Sequence, residues 1–135
     1  MRASVFISST YQDLKLYRKE LWEQLIDLDI RLSGMEKFGA RSTEPLDTCL
    51  KEVEQSDVFL CILACRYGSI DNKKKKSFTQ LEYEQAYKLN KRILIYIMSD
   101  DANIRLGDVE TGSLFNKLQK FKSIVMKRHT VAEFK

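Results

Sequence analysis

The chain has 135 residues, 44% of them apolar and 31% charged, and a net charge of +4, which is enough for one domain with its own core. No apolar run approaches the ~20 residues of a membrane-crossing helix, and Met1–Ser4 leads straight into the strand-like Val5–Ile7 without a secretory leader, so a cytoplasmic protein is expected and a membrane partner is not. Much of the positive excess lies in Lys73–Lys76, which reads as a solvated loop, and no interleaved aromatic and basic surface marks a nucleic-acid binder.

Strand and helix patterns alternate along the chain. Val5–Ser8 reads as a short buried strand, followed from Tyr11 to Asp29 by a helix with Leu14, Leu21, Trp22, Leu25 and Leu28 on one side. A weaker strand covers Arg31–Lys37. Pro45 then opens a helix that turns Leu46, Cys49, Leu50 and Val53 inward. Val58–Ala64 is an unbroken apolar run, the pattern of a strand buried on both faces. A polar loop from Arg66 to Ser77 precedes a helix whose cap is either Ser77 with Gln80 or Thr79 with Glu82. Ile93–Met98 is a second buried strand. After a loop around Ser99–Gly112 comes a helix carrying Leu114, Leu118, Phe121 and Val125, and Thr130–Phe134 closes the pattern as a short strand.

Strands separated by helices imply βαβ units in a parallel sheet. The expected fold is an α/β three-layer sandwich with a five-stranded flavodoxin-like sheet in the order 2-1-3-4-5. A ligand crevice then lies beyond the carboxyl ends of the first and third strands, at Ser8–Thr10 and Ala64–Gly68. The chain stops directly after its last strand, so residues 1–135 are expected to be a single domain from the N-terminal part of a longer protein.

Several chemistries are absent from the sequence. There is no phosphate-binding P-loop and no dinucleotide-binding glycine turn. A phospho-receiver would need an aspartate where Ala64 and Cys65 stand, and the single histidine, His129, lies near the C-terminus. Cys49, Cys61 and Cys65 form no C-x-x-C pair. Cys61 and Cys65 are placed on one face of a strand, as buried thiols rather than zinc ligands, and no metal or bound cofactor is expected.

What remains is polar material at the rim of the sheet. Ser8, Ser9 and Thr10 offer hydroxyls and N–H groups to phosphate or ribose oxygens, or Ser9 or Thr10 caps the first helix. Arg66, Tyr67 and Gly68 follow the central strand, where a phosphate or a ring could sit, unless Gly68 only makes a turn. Arg18 falls within its helix's apolar stripe and needs a partner such as Glu36, Asp13 or Glu82; a structural ion pair with Glu36 is the expectation. Glu82 falls among Phe78, Leu81, Ala86 and Leu89, also in an apolar stripe. A carboxylate there costs stability unless it is paired, bonded or open to a cleft, and such sites are often functional. With Thr79 as the cap, Glu82 would only reach back to it; with Ser77 as the cap, it faces inward.

Val5–Leu14, Met35–Arg41, Ser56–Phe59, Arg66–Ile70 and Leu81–Tyr83 resemble a TIR-like domain family of unknown function, found at the N-termini of STAND/NACHT-type NTPases that include antiphage proteins. The wider group takes in TIR domains and nucleoside deoxyribosyltransferases. In catalytic TIR domains a glutamate four residues before an alanine and nine before a lysine supports cleavage of the nicotinamide–ribose bond of NAD. Glu82, Ala86 and Lys91 reproduce that spacing. The segment Phe78–Leu81 lacks the tryptophan or cysteine that many TIR domains carry before the glutamate, and the loop after the first strand differs from theirs.

The resemblance implies an effector domain, fused to C-terminal NTPase and sensor domains, that self-associates and hydrolyses or transfers the N-glycosidic bond of NAD or a related nucleotide. Glu82 would be catalytic, with Ser8, Ser9, Thr10, Arg66, Tyr67 and Gly68 binding the substrate. The alternatives are a non-catalytic module for homotypic interaction or nucleotide binding, and deoxyribosyl transfer between bases.

Overall fold

In the computed structural model, residues 3–34 and 46–135 are described. The elements run β1 (Ala3–Ser9), α1 (Lys15–Ile26), β2 (Ile30–Gly34), α2 (Leu46–Gln55), β3 (Val58–Leu63), α3 (Phe78–Lys88), β4 (Arg92–Met98), α4 (Gly112–Arg128) and β5 (Val131–Phe134). The five strands form one parallel sheet in the order β2-β1-β3-β4-β5. This is the expected α/β architecture. The order reverses between β1 and β3, whose register pairs Ser8 with Cys61 and Ser9 with Ile62.

The pleat sends alternate residues to two separate cores. Phe6, Phe59, Cys61, Ile95 and Ile97 pack beneath α2, α3 and α4, against Val53, Tyr83, Ala86 and Phe121. Ile7, Leu60, Ile62 and Met98 pack on the opposite face against α1, through Leu14, Tyr17, Leu21 and Trp22. The connection from β1 to β2 runs one way along the sheet and the later ones run the other way. Right-handed crossovers therefore place α1 alone on its face. One helix covers less than three do: Leu94 and Tyr96 of β4 are 37% and 38% exposed. The strand expected at Ile93–Met98 is present, but it is fully covered on one face only.

Other local expectations change for identifiable reasons. The first helix begins at Lys15, not Tyr11, because the Thr10 hydroxyl donates to Asp13 and the Leu14 N–H to the Tyr11 carbonyl, closing a separate turn first. Its N-cap is Leu14 with no side-chain bond, so neither Ser9 nor Thr10 caps it. The helix ends at Ile26 instead of Asp29, and Leu28 lies in the following turn, exposed. Cys65 lies beyond the end of β3 and packs with the α1 core, while Cys61 faces the other one, so the two do not share a face. Lys73–Lys76 is tied down by Asp71, whose carboxylate accepts from Lys74 N–H at 2.8 Å, and by the Lys76–Glu84 ion pair at 3.0 Å. Pro45 and the last residues of the expected Arg31–Lys37 strand lie outside the described residues.

Ser77 is the N-cap of α3: its backbone is extended and its hydroxyl accepts from Gln80 N–H at 3.1 Å. At the other end Asn90 takes the left-handed conformation with φ 56°, and Lys91 N–H bonds to the Ala86 carbonyl, completing a Schellman-type stop. Removing the cap with Ser77→Ala is expected to cost about 1 kcal/mol. A lower denaturant midpoint at unchanged m-value would register that loss.

Candidate active site at the carboxyl end of β1

Because α3 starts after Ser77, Glu82 lies in the second turn and points at the sheet instead of closing its own first turn. Ser8 is the inward residue of β1 beneath it, and its hydroxyl donates to Glu82 Oε1 at 2.6 Å. Cys49, brought in by α2, adds a side-chain hydrogen bond to the same carboxyl. Ser8 is 1% exposed and Glu82 9%. Burial pushes Glu82 up to about 7, against the opposing pull of the Ser8 hydroxyl, the Arg18 charge and the Cys49 thiol. Near neutral pH the group is thus divided between acid and anion, a state suited to either proton transfer or charge stabilisation.

Arg18 reaches the other side of the same strand. Its guanidinium, 1% exposed, donates from Nη1 to Ser9 Oγ at 2.7 Å and from Nη2 to the Ile7 carbonyl at 3.3 Å. Of its three expected partners, Glu36 lies outside the described residues, and Glu82 feels its charge. Asp13 is instead held by the Thr10 hydroxyl and by Cys65 N–H at 3.4 Å.

The three hydroxyls expected to greet a phosphate are all committed to protein acceptors: Ser8 to Glu82, Ser9 to the Thr10 carbonyl at 2.7 Å, and Thr10 to Asp13. The start of α1 has also moved four residues on, so Thr10 does not abut a helix N-terminus. Tyr67 is buried, its hydroxyl donating to Gln80, and so its ring belongs to the core. Arg66, with 28% of its side chain exposed, lies 3.6 Å from Glu110 and keeps part of its guanidinium in solvent. Gly68 adopts φ +96°, and a Cβ there would come within 2.8 Å of Thr10 Cγ2, so the close approach of the two rim loops requires glycine.

Two residues at this rim went unrecognised in the sequence. Glu110 is 9% exposed and accepts from Tyr67 N–H at 2.6 Å, while its own N–H bonds to the Cys65 carbonyl at 3.0 Å. An acid in a loop carries no periodic signal that would reveal this. Cys49 was legible only as a core position. The Glu82–Ala86–Lys91 spacing resolves into three separate tasks: Ala86 is buried under the sheet, and Lys91 donates to the Glu54 carbonyl at 2.6 Å at the end of α2. Among the described residues no group of three or more His, Cys, Asp or Glu is placed to hold a metal, and no helix is long and apolar enough to cross a membrane.

A family model for a domain of unknown function, DUF4062, matches residues 4–135. The chain belongs to that family. No curated protein matches it. Among solved structures, the chain is similar to a 2-desoxiribosyltransferase from Leishmania mexicana, with 12% sequence identity, a TM-score of 0.47, and 95% of this chain and 99% of that chain covered. A likeness at that level carries no functional argument.

Because Glu82 holds its proton up to about 7 in the folded protein, against 4.5 otherwise, the folded state binds an extra proton between those values. Its contribution is therefore full below pH 4.5 and is lost as pH rises through 7. Measured by urea denaturation, wild-type stability should fall across this window relative to Glu82→Gln, by up to about 3 kcal/mol at pH 8. Equal pH profiles for the two proteins would contradict the assignment. Gly68→Ala is expected to cost roughly 1–3 kcal/mol from its backbone alone, seen as a lower thermal midpoint.

Proposed function

We propose that this domain cleaves or transfers the N-glycosidic bond of NAD or a related nucleotide, with Glu82 as the catalytic carboxyl. One observation carries this reading: an ionisable group seated in a buried apolar surround, at the carboxyl end of the strand where the sheet order reverses, and divided between its two charge states near neutral pH. Breaking the bond between a sugar and a cationic base builds positive charge on the ribose while the base departs with the bonding electrons. A carboxylate beside the ring stabilises or traps that charge, and water or a second base then takes the sugar. Arg66, partly in solvent at the same rim, is a cation that a phosphate could meet. The sequence resemblance adds the biological setting, an effector domain of a larger defence or signalling NTPase that acts when clustered.

A second reading is favoured by the same geometry: the carboxyl already has Ser8, Cys49 and the Arg18 charge as partners, and the rim hydroxyls are engaged. A non-catalytic module that binds like domains or a nucleotide signal would need Glu82 only as an anchor.

The two readings diverge in an assay of NAD loss with the domain artificially clustered, alongside base exchange between nucleosides. Glu82→Gln, which can still accept from Ser8, is expected to remain folded and lose activity by on the order of 100-fold or more. Turnover equal to wild type in that variant rejects the catalytic role. No turnover in any clustered wild-type preparation favours the module.

A further inference from the structure

Extended strands turn neighbouring residues to opposite faces, and β1 exploits this at its carboxyl end. Ile7 and Ser9 face α1 and are both gripped by the single guanidinium of Arg18, at 3.3 Å and 2.7 Å. Ser8, between them, faces α3 and donates to Glu82 at 2.6 Å. One guanidinium thus anchors the Ile7 carbonyl on one side of Ser8 and the Ser9 side chain on the other, and these two anchors constrain the strand that sets the direction of the Ser8 hydroxyl. The grip is rigid because Arg18 is among the largest fully buried side chains of the molecule and its planar fork has little freedom once two donors are engaged.

We propose that Arg18 is a positioning residue: by holding Ile7 and Ser9 from the far face of the sheet it aims the Ser8 hydroxyl at Glu82 and so sets the charge state of that carboxyl. The inference rests on Glu82 being the acting group of the proposed reaction, and it goes further by naming what regulates that group from the helix on the other face of the sheet. Among the described residues, the charged and titratable groups that act on Glu82 come from three elements: Arg18 of α1, Cys49 of α2 and Cys61 of β3. Burial raises the Cys61 thiol, and the Glu82 charge raises it further, so it stays neutral. Arg18 is the only permanent charge of the three. Its field also reaches Glu82 directly, so a test must separate field from aim.

The experiment follows the Glu82 side-chain carboxyl by NMR titration in the intact domain, with no turnover required, so that its outcome is independent of whether NAD is a substrate. Arg18→Met is expected to bind the Glu82 proton about tenfold more tightly than wild type, because both the aim and the charge are lost. In a Ser8→Ala background the same substitution should have less than half that effect, since there is no hydroxyl left to aim. Should Arg18→Met fail to fold, Ser9→Ala removes one anchor while leaving the charge in place, and it should tighten proton binding by a smaller factor. The proposal is overturned if folded Arg18→Met titrates like wild type, if its effect is undiminished by Ser8→Ala, or if Ser9→Ala changes nothing. A purely structural Arg18 would lower stability in all three variants without moving the titration.

Discussion

A buried carboxylate on the inner face of a helix is stable only if the strand beneath it supplies a donor, and here the bond from Ser8 to Glu82 fills that requirement. It joins α3 to β1 across two strands' separation in sequence, and it fixes a carboxyl that the domain keeps out of water near its topological reversal. The start of α3 matters for the same reason. With Ser77 as cap, Glu82 meets the sheet; a cap two residues later would have turned it back on its own helix.

The strand that supplies Ser8 is itself held from both sides. On one face Arg18 binds Ile7 and Ser9, and on the other Glu82 binds Ser8. Both groups are charged or chargeable, and both sit where the sequence places apolar neighbours. Across the thickness of that single strand the Arg18 charge favours the ionised form of Glu82 and so offsets part of the cost of burying it. The loop after β3 repeats the device on a smaller scale. Glu110 binds Tyr67 N–H and pairs with Arg66, holding in register a segment that has no helix or strand ladder of its own.

These commitments shape what a ligand could meet. The hydroxyls of Ser8, Ser9 and Thr10 donate to protein acceptors and Tyr67 lies in the core, while Arg66 is partly exposed among the described residues of the rim. A hydroxyl already donating to a carboxylate can still accept a hydrogen bond.

The sheet, its strand order and the place of Glu82 and Arg18 in apolar stripes were legible in the sequence, whereas the cap of α3, and with it the inward turn of Glu82, was not. The pattern carries the former: seven apolar residues at Val58–Ala64 bear the signature of a strand covered on both faces, and an acid at helical spacing from Leu81 and Ala86 falls in their stripe. Partners were not legible, because a hydrogen bond between residues 74 positions apart leaves no periodic trace in either segment. Tertiary structure alone decided that Ser8 meets Glu82, that Arg18 reaches over Ser8 to its two neighbours, that the rim hydroxyls are engaged, and that Glu110 closes the loop. It also decided that Leu94 and Tyr96 remain half open, since the number of helices on a sheet face depends on the direction of every crossover and on no single segment.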